Sequence, residues 1–166
     1  MTAVELKDIE TRLSIWRGER HLTIEGQKQG LVSNILEELT EYSRSQNDLE
    51  RIDSLCDIMV FTVNSFDYIE LYKGFTVSEM QSIPEARALA ISVLEDIINR
   101  PYYVIYVCCQ AIRVMGYNPY HCMLETLKEI SSRTGHYDET IGKFVKDTSD
   151  EAKSKWYKAD YSLCKK

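Results

Sequence analysis

Apolar residues recur at helical spacing along most of the chain, and this pattern predicts an all-α fold. Three segments in the first half each present one apolar stripe, which indicates helices with one buried face. The stripes comprise Leu6, Ile9, Leu13 and Trp16, then Leu31, Ile35, Leu39 and Tyr42, then Ile52, Cys56, Met59, Val63 and Phe66. Only seven glycines and three prolines interrupt the pattern, which suits a bundle of helices.

Capping residues place the expected helix ends. The first helix is predicted to follow a Thr2 cap, with Gly18 and Gly26 bracketing the loop behind it. Ser82 and Glu85 form a capping-box pattern at the start of the fourth helix. Within several residues, the second to sixth helices are expected over 28–45, 49–68, 84–99, 101–116 and 118–133.

The remaining segments are predicted to be less regular. Residues 69–83 are expected to form a loop or a partly helical excursion, and residues 135–146 to form a loop. Thr148 and Glu151 make another capping-box pattern, which predicts a short final helix over 149–163.

Length and charge narrow the classes of function. The 166 residues suit one domain, with a helical part over 1–134 and an attached loop and short helix over 135–166. Hydrophobic residues make up 44% of the chain, enough for a core. A net charge of -6 and a pI of about 5.2 argue against binding along a nucleic-acid polymer. A small phosphorylated ligand remains compatible with this charge if metal ions screen it.

Cysteine usage and hydropathy favour a cytoplasmic protein. The five cysteines are an odd number without paired metal spacing, and three lie in apolar helical sequence, so no disulfide framework is expected. The apolar run over 102–115 is too short to span a bilayer and contains Gln110 and Arg113. Residues 1–15 are amphipathic and acidic, unlike a signal peptide.

Five carboxylates on two consecutive predicted helices are the main candidate chemistry. Glu38 and Glu41 face roughly the same way, whereas Glu37 points to a different side of its helix. Asp53 and Asp57 lie one turn apart on the next helix. Consecutive helices joined by a short link usually pack antiparallel, so the two groups can converge. Because all the ligands would be oxygens, the pattern points to Mg²⁺.

Two other interpretations of these acids deserve weight. A glutamate-rich helix is most often a solvated face, and for Glu37 this interpretation is as good as a metal-site one. It is weaker for the aspartate pair, because Asp is a poor helix former and lacks supporting cations here. A di-iron bundle would need Glu-x-x-His motifs, and none of the three histidines has a Glu three residues before it.

The same residues resemble a known family. Glu37-Glu38-Leu-Thr-Glu41 resembles the EExxE motif of the MazG-like all-α nucleoside triphosphate pyrophosphohydrolases. Asp53-Ser-Leu-Cys-Asp57, followed by an apolar run, resembles their second motif, whose usual form is ExxD. Ser54 stands at the acid position of that motif, and Asp53 precedes it by one residue. Glu50-Arg-Ile-Asp53 matches ExxD literally but lacks the apolar run directly behind it, so Asp57 is the better anchor.

A second, looser match lies in the tail. The stretches Ser131-Ser-Arg133-Thr-Gly135 and Gly142-Lys143-Phe-Val-Lys146 look like the tail of phage-type members. The resemblance implies an antiparallel helical bundle that assembles as a homodimer or homotetramer. It also implies hydrolysis of (d)NTPs to the monophosphate and pyrophosphate with Mg²⁺, for which Mn²⁺ can substitute.

By resemblance, the site residues take separate roles. Glu38, Glu41 and Asp57 would be the main Mg²⁺ ligands, with Asp53 replacing the acid absent at position 54. Glu37 would orient or deprotonate the attacking water, so Glu37 and Glu38 are the expected catalytic pair. The expected substrate-binding residues are Arg133, Lys143 and Lys146 for the phosphates, and Asn64 and Gln27 for the sugar or base. Gly135 and Gly142 predict a flexible loop that folds over the ligand.

Alternatives remain open at this point. One is hydrolysis of phosphoribosyl-ATP on a related fold. Another is a catalytically silent helical interaction or regulatory protein, which the serine at position 54 keeps in view. Trp16 is better explained as a core residue than as part of a base pocket, because it completes the stripe of the first helix.

Overall fold

The computed structural model describes residues 1–72, 82–141 and 143–166. The chain is mostly helical, with one antiparallel two-stranded sheet, so the all-α prediction is confirmed at the level of class. The helices are α1 (Ala3–Glu19), α2 (Ile24–Arg44), α3 (Asp48–Ser65), α4 (Tyr68–Tyr72), α5 (Ala86–Asp96), α6 (Pro101–Val114), α7 (Pro119–Ser132) and α8 (Asp150–Lys153). Strands β1 (Gly135–Asp138) and β2 (Lys143–Lys146) form a hairpin, and a 3₁₀ helix covers Tyr161–Cys164.

Helix α3 lies at the centre of the core, packed against α1, α2, α6 and α7. Its stripe and those of α1 and α2 are buried as the spacing predicts, except that Trp16 is only half-buried. Helices α2 and α3 form the most extensive helix pair, joined by a short turn. This pair therefore gives the acidic residues of both helices a common scaffold.

Several predicted helix ends are confirmed. Thr2 accepts a hydrogen bond from the Glu5 backbone, and Glu5 accepts one from Thr2, which completes a capping box. Pro101 is the first residue of α6, and Asn118 caps α7 ahead of Pro119. These ends follow local rules, so sequence alone could place them.

Two other boundaries were predicted wrongly. Gly18 lies inside α1 and Gly26 in the first turn of α2, so the loop between them is shorter than expected. Glu85 caps α5 without a side-chain hydrogen bond, so the expected capping box with Ser82 is absent. Within the segment 69–83, α4 ends at Tyr72, and residues 73–81 lie outside the described part of the chain.

The C-terminal part differs most from expectation. In place of the loop expected over 135–146, β1 and β2 pair as a hairpin, with Gly135 opposite Lys146; Gly142 lies outside the described residues. Gly135 packs so closely that an added Cβ would lie 2.2 Å from the Val145 carbonyl oxygen. The final helix predicted over 149–163 is a single turn, α8, followed by irregular chain and the 3₁₀ helix at Tyr161–Cys164. None of the described helices combines the length and the apolarity that crossing a bilayer requires.

Candidate functional site

A cavity of about 720 Å³ lies between α2, α3, the C-terminal end of α7 and the hairpin. Trp16 and Phe61 contribute apolar surface to it, and both are partly buried against the core. Most of the residues expected to act in catalysis or binding border this one cavity; they are Gln27, Glu37, Glu38, Asp57, Arg133 and Lys146. The structure thus brings together residues that are more than a hundred positions apart in sequence.

The acidic wall of the cavity is formed by α2 and α3. Glu38 lies at the edge of the buried stripe of α2 and is 9% exposed. Burial raises the pKa of Glu38 to about 8, and the negative charge of Asp57 adds to the effect. Burial likewise raises the pKa of Asp57 to about 7, with a contribution from the charge of Asp53. The pKa values of both acids therefore lie close to neutral pH.

Glu41 and Asp53 border an adjoining hollow of about 220 Å³. Their charges also raise the pKa of Glu38, which places both acids within electrostatic range of the cavity wall. Asp53 accepts a hydrogen bond of 2.7 Å from the hydroxyl of Tyr161. Ser54, the neighbour of Asp53, is 2% exposed and donates to the Glu50 carbonyl at 3.4 Å.

Glu37 borders the cavity although the helical wheel turns it away from Glu38. The different direction expected for Glu37 does not keep it out of the cavity. The cavity is wide enough to be lined by two consecutive residues of α2. Glu37 is exposed, whereas Glu38 is buried. Glu37 is therefore the more accessible of the two neighbouring acids on this wall.

The opposite wall carries positive charge. Arg133, the residue that caps the C-terminus of α7, pairs with Glu129 at 2.5 Å. The Nε atom of Arg133 is buried and has no hydrogen-bond partner within the described ranges. Lys146 ends β2 at the cavity. Lys143 begins β2, and the prediction for its side chain falls outside what the structure describes.

Arg20 is a cavity residue that the sequence analysis missed. Its guanidinium lies 4.7 Å from the Trp16 ring centroid and 5.2 Å from that of Phe144. It also donates hydrogen bonds to the backbone carbonyls of Trp16, at 3.3 Å, and Arg133, at 3.2 Å. Arg20 thereby connects the end of α1 to the end of α7 and to the hairpin. No local pattern marks it, because its partners at the end of α7 and in the hairpin lie far away in sequence.

Asn64 lies elsewhere. Its side chain is 1% exposed and accepts a 2.7 Å hydrogen bond from Arg17, which is also buried. Asn64 is not among the residues that border the cavity. Asp57 and Asn64 lie on the same side of α3, but this side borders the cavity at Asp57 and is buried in the core at Asn64.

The carboxylates lie near one another but do not form a complete metal-binding site among the described residues. Across residues 1–72, 82–141 and 143–166, no three His, Cys, Asp or Glu side chains are arranged as a metal-binding group. Comparison of the chain with protein-family models, with curated proteins and with solved structures gave no match.

Proposed function

We propose that the protein hydrolyses nucleoside triphosphates to the monophosphate and pyrophosphate in a Mg²⁺-dependent reaction. One observation carries the proposal: a single cavity has carboxylates on one wall and cationic side chains on the other. Its volume of about 720 Å³ lies within the range of roughly 300–1,000 Å³ for small-molecule sites. A triphosphate with its metal ion needs carboxylates to bind the metal and cationic side chains to bind the phosphate oxygens.

The residues present fit a divalent cation. Glu38 is buried beside four other acids, and its ionised form is disfavoured by burial and by their charges. A bound cation would reverse this repulsion and favour the ionised form. On the other wall, Arg133 and Lys146 supply positive charge for phosphate oxygens. Both observations support a site completed by a metal ion and a phosphorylated ligand.

Each residue has a role in the proposed reaction. Glu38, Glu41 and Asp57 would hold Mg²⁺, with Asp53 as the fourth acid. Bound Mg²⁺ supplies charge neutralisation and orientation of the triphosphate. Glu37, at the exposed edge of the acidic wall, would accept a proton from the attacking water.

The remaining cavity residues would bind the substrate. Arg133 and Lys146 would bind phosphate oxygens and add their positive charge to that of Mg²⁺. Gln27 would contact the sugar or the base at the opposite side from the cations. Trp16 would supply an apolar surface for the base, since it borders the cavity as well as the core.

Pyrophosphate release from a panel of canonical and modified nucleotides tests the proposal. We expect activity that depends on Mg²⁺ or Mn²⁺, disappears with EDTA, and falls at least about 100-fold in Glu38→Gln and Asp57→Asn. Glu95→Gln is the control, because Glu95 is an exposed acid on α5. Full activity of both cavity variants would rule out the site.

The same panel separates the alternatives. Release from phosphoribosyl-ATP alone would favour the related activity in place of NTP hydrolysis. No release from any nucleotide, together with no Mn²⁺-dependent nucleotide binding by calorimetry, would favour a catalytically silent interaction protein.

We also propose that the chain forms a homodimer or homotetramer. Apolar side chains remain exposed on the outer faces of α2 and α5, which contact each other. They are Val32 and Leu36 on α2, and Ile91, Leu94 and the following Ile98 at α5. Burial of such side chains in a subunit interface would remove them from water.

A further inference from the structure

The last ten residues form a strap, residues 157–166, that runs back along α7. The backbone N–H of Tyr157 donates to Ser132 at 2.9 Å, and that of Ala159 donates to Glu129 at 2.8 Å. The N–H of Asp160 donates to Glu125 at 3.3 Å. Side chains of α7 therefore accept hydrogen bonds from strap N–H groups. In a helix, these N–H groups would donate to backbone carbonyls.

The far end of the strap is also fixed. The carbonyl of Cys164 accepts from the Asn118 backbone at 2.9 Å, and the N–H of Lys166 donates to the Gly116 carbonyl at 2.9 Å. Tyr161 and Cys164 are 5% and 2% exposed, and both belong to the main core. Tyr161 is thus held from both sides, with its ring buried.

The hydroxyl of Tyr161 points at the acid cluster. It lies 2.7 Å from Oδ1 of Asp53 and 3.0 Å from the hydroxyl of Thr126. An ionised carboxylate can only accept, so the single proton of Tyr161 is donated to Asp53. Burial raises the pKa of Tyr161 far above its ordinary value, so the hydroxyl stays protonated. The contact occupies one of the two carboxylate oxygens and fixes the plane of the group.

We infer that Tyr161 is a positioning residue that holds Asp53 in place to bind the proposed metal ion, which makes the C-terminal strap part of the site. Hydrogen bonds to metal-ligating side chains orient the ligands and raise metal affinity. Asp53 needs such help because it lies on the exposed side of α3, where a free carboxylate samples several rotamers. The inference rests on the proposed metal site.

Metal binding by the 166-residue chain tests the inference without reference to catalysis. The free Mn²⁺ signal in electron paramagnetic resonance gives the Kd for wild type, Tyr161→Phe and Tyr157→Phe. Tyr157 is the matched control, because its hydroxyl also donates to a glutamate from the strap, but to Glu125 on α7. We expect Mn²⁺ affinity to fall roughly 10- to 100-fold in Tyr161→Phe and to stay within about twofold in the control.

A double-mutant cycle separates positioning from general damage to the fold. If Tyr161 acts through Asp53, Tyr161→Phe will weaken Mn²⁺ binding in the wild-type background but not in Asp53→Ala. An equal loss in both backgrounds would overturn the inference, because it would indicate a structural effect of the strap. Equal Kd values for wild type and Tyr161→Phe would overturn it as well.

The outcomes for the two proposals are distinguishable. Mn²⁺ binding that depends on Tyr161, without hydrolysis of any nucleotide, would support the positioning role and contradict the proposed function. Hydrolysis with a Mn²⁺ affinity that does not depend on Tyr161 would support the proposed function and contradict the positioning role. Absence of Mn²⁺ binding in the wild type would contradict both.

Discussion

Replacing Glu38 by glutamine is expected to stabilise the metal-free protein at high pH while removing activity. The folded chain keeps the Glu38 proton up to a pKa of about 8, whereas the unfolded chain releases it near 4.5. Between these two values the folded state holds more protons than the unfolded state. Stability therefore falls as the pH rises through this interval. Glutamine mimics the protonated acid and has no such dependence.

The size of the effect follows from the two pKa values. The interval from 4.5 to about 8 corresponds to at most about 5 kcal/mol, since one pKa unit is about 1.4 kcal/mol. Water that enters the cavity screens the charge, so we expect only about 2 kcal/mol of this maximum to be observed. At pH 9, Glu38→Gln should be more stable than wild type by this amount. At pH 4.5 the two proteins should be equal.

Urea denaturation in EDTA at pH 4.5 and pH 9 measures the difference. Glu95→Gln should change stability by less than about 0.5 kcal/mol at both values, as is usual for exposed positions. Addition of Mg²⁺ at pH 9 should then stabilise wild type but not Glu38→Gln. A variant that is less stable than wild type at pH 9, or equally shifted at both pH values, would refute the reasoning.

Two further predictions concern the hairpin and the outer surface. Gly135→Ala should weaken nucleotide binding roughly tenfold, about 1.4 kcal/mol, because its Cβ would meet the Val145 carbonyl at 2.2 Å and displace β2; titration of nucleotide binding checks this. Gly18→Ala is the matched control, since nothing lies within 4 Å of its added Cβ, and an equal effect in both variants would contradict the role of the hairpin. Replacement of Ile91 and Leu94 by glutamate should convert the proposed oligomer to monomers in light scattering, and an unchanged mass would place the interface elsewhere.

Sequence patterns were sufficient for elements that depend on local rules. Helices α1 to α3 follow from their apolar stripes, and α6 and α7 from their prolines. The hairpin was missed because its strands have four residues each and depend on the fit of Gly135 against Val145. The strap was missed because its N–H acceptors on α7 lie 25 to 35 positions away.

The same distinction applies to the cavity. Glu38 and Asp57 could be brought together by helical periodicity and the packing of consecutive helices. Arg20 could not be found in this way, because its partners at the end of α7 are more than a hundred positions away. Asn64 was assigned to the same helical line as Asp57, but periodicity does not show that Asn64 accepts a hydrogen bond from Arg17, 47 positions earlier, in the core.

The other buried carboxylates of the chain show what is unusual about Glu38. Asp96 is 2% exposed and pairs with Arg100 at 2.6 Å, and Glu125 is 5% exposed and pairs with Lys128. Glu38 is nearly as buried, yet among the described residues it forms no ion pair. An ionised buried acid without a cation destabilises the fold, and the roughly 2 kcal/mol expected at pH 9 is a sizeable share of a typical stability of roughly 5–15 kcal/mol. A cation taken from solution would supply the partner that the chain provides for Asp96 and Glu125 but not for Glu38.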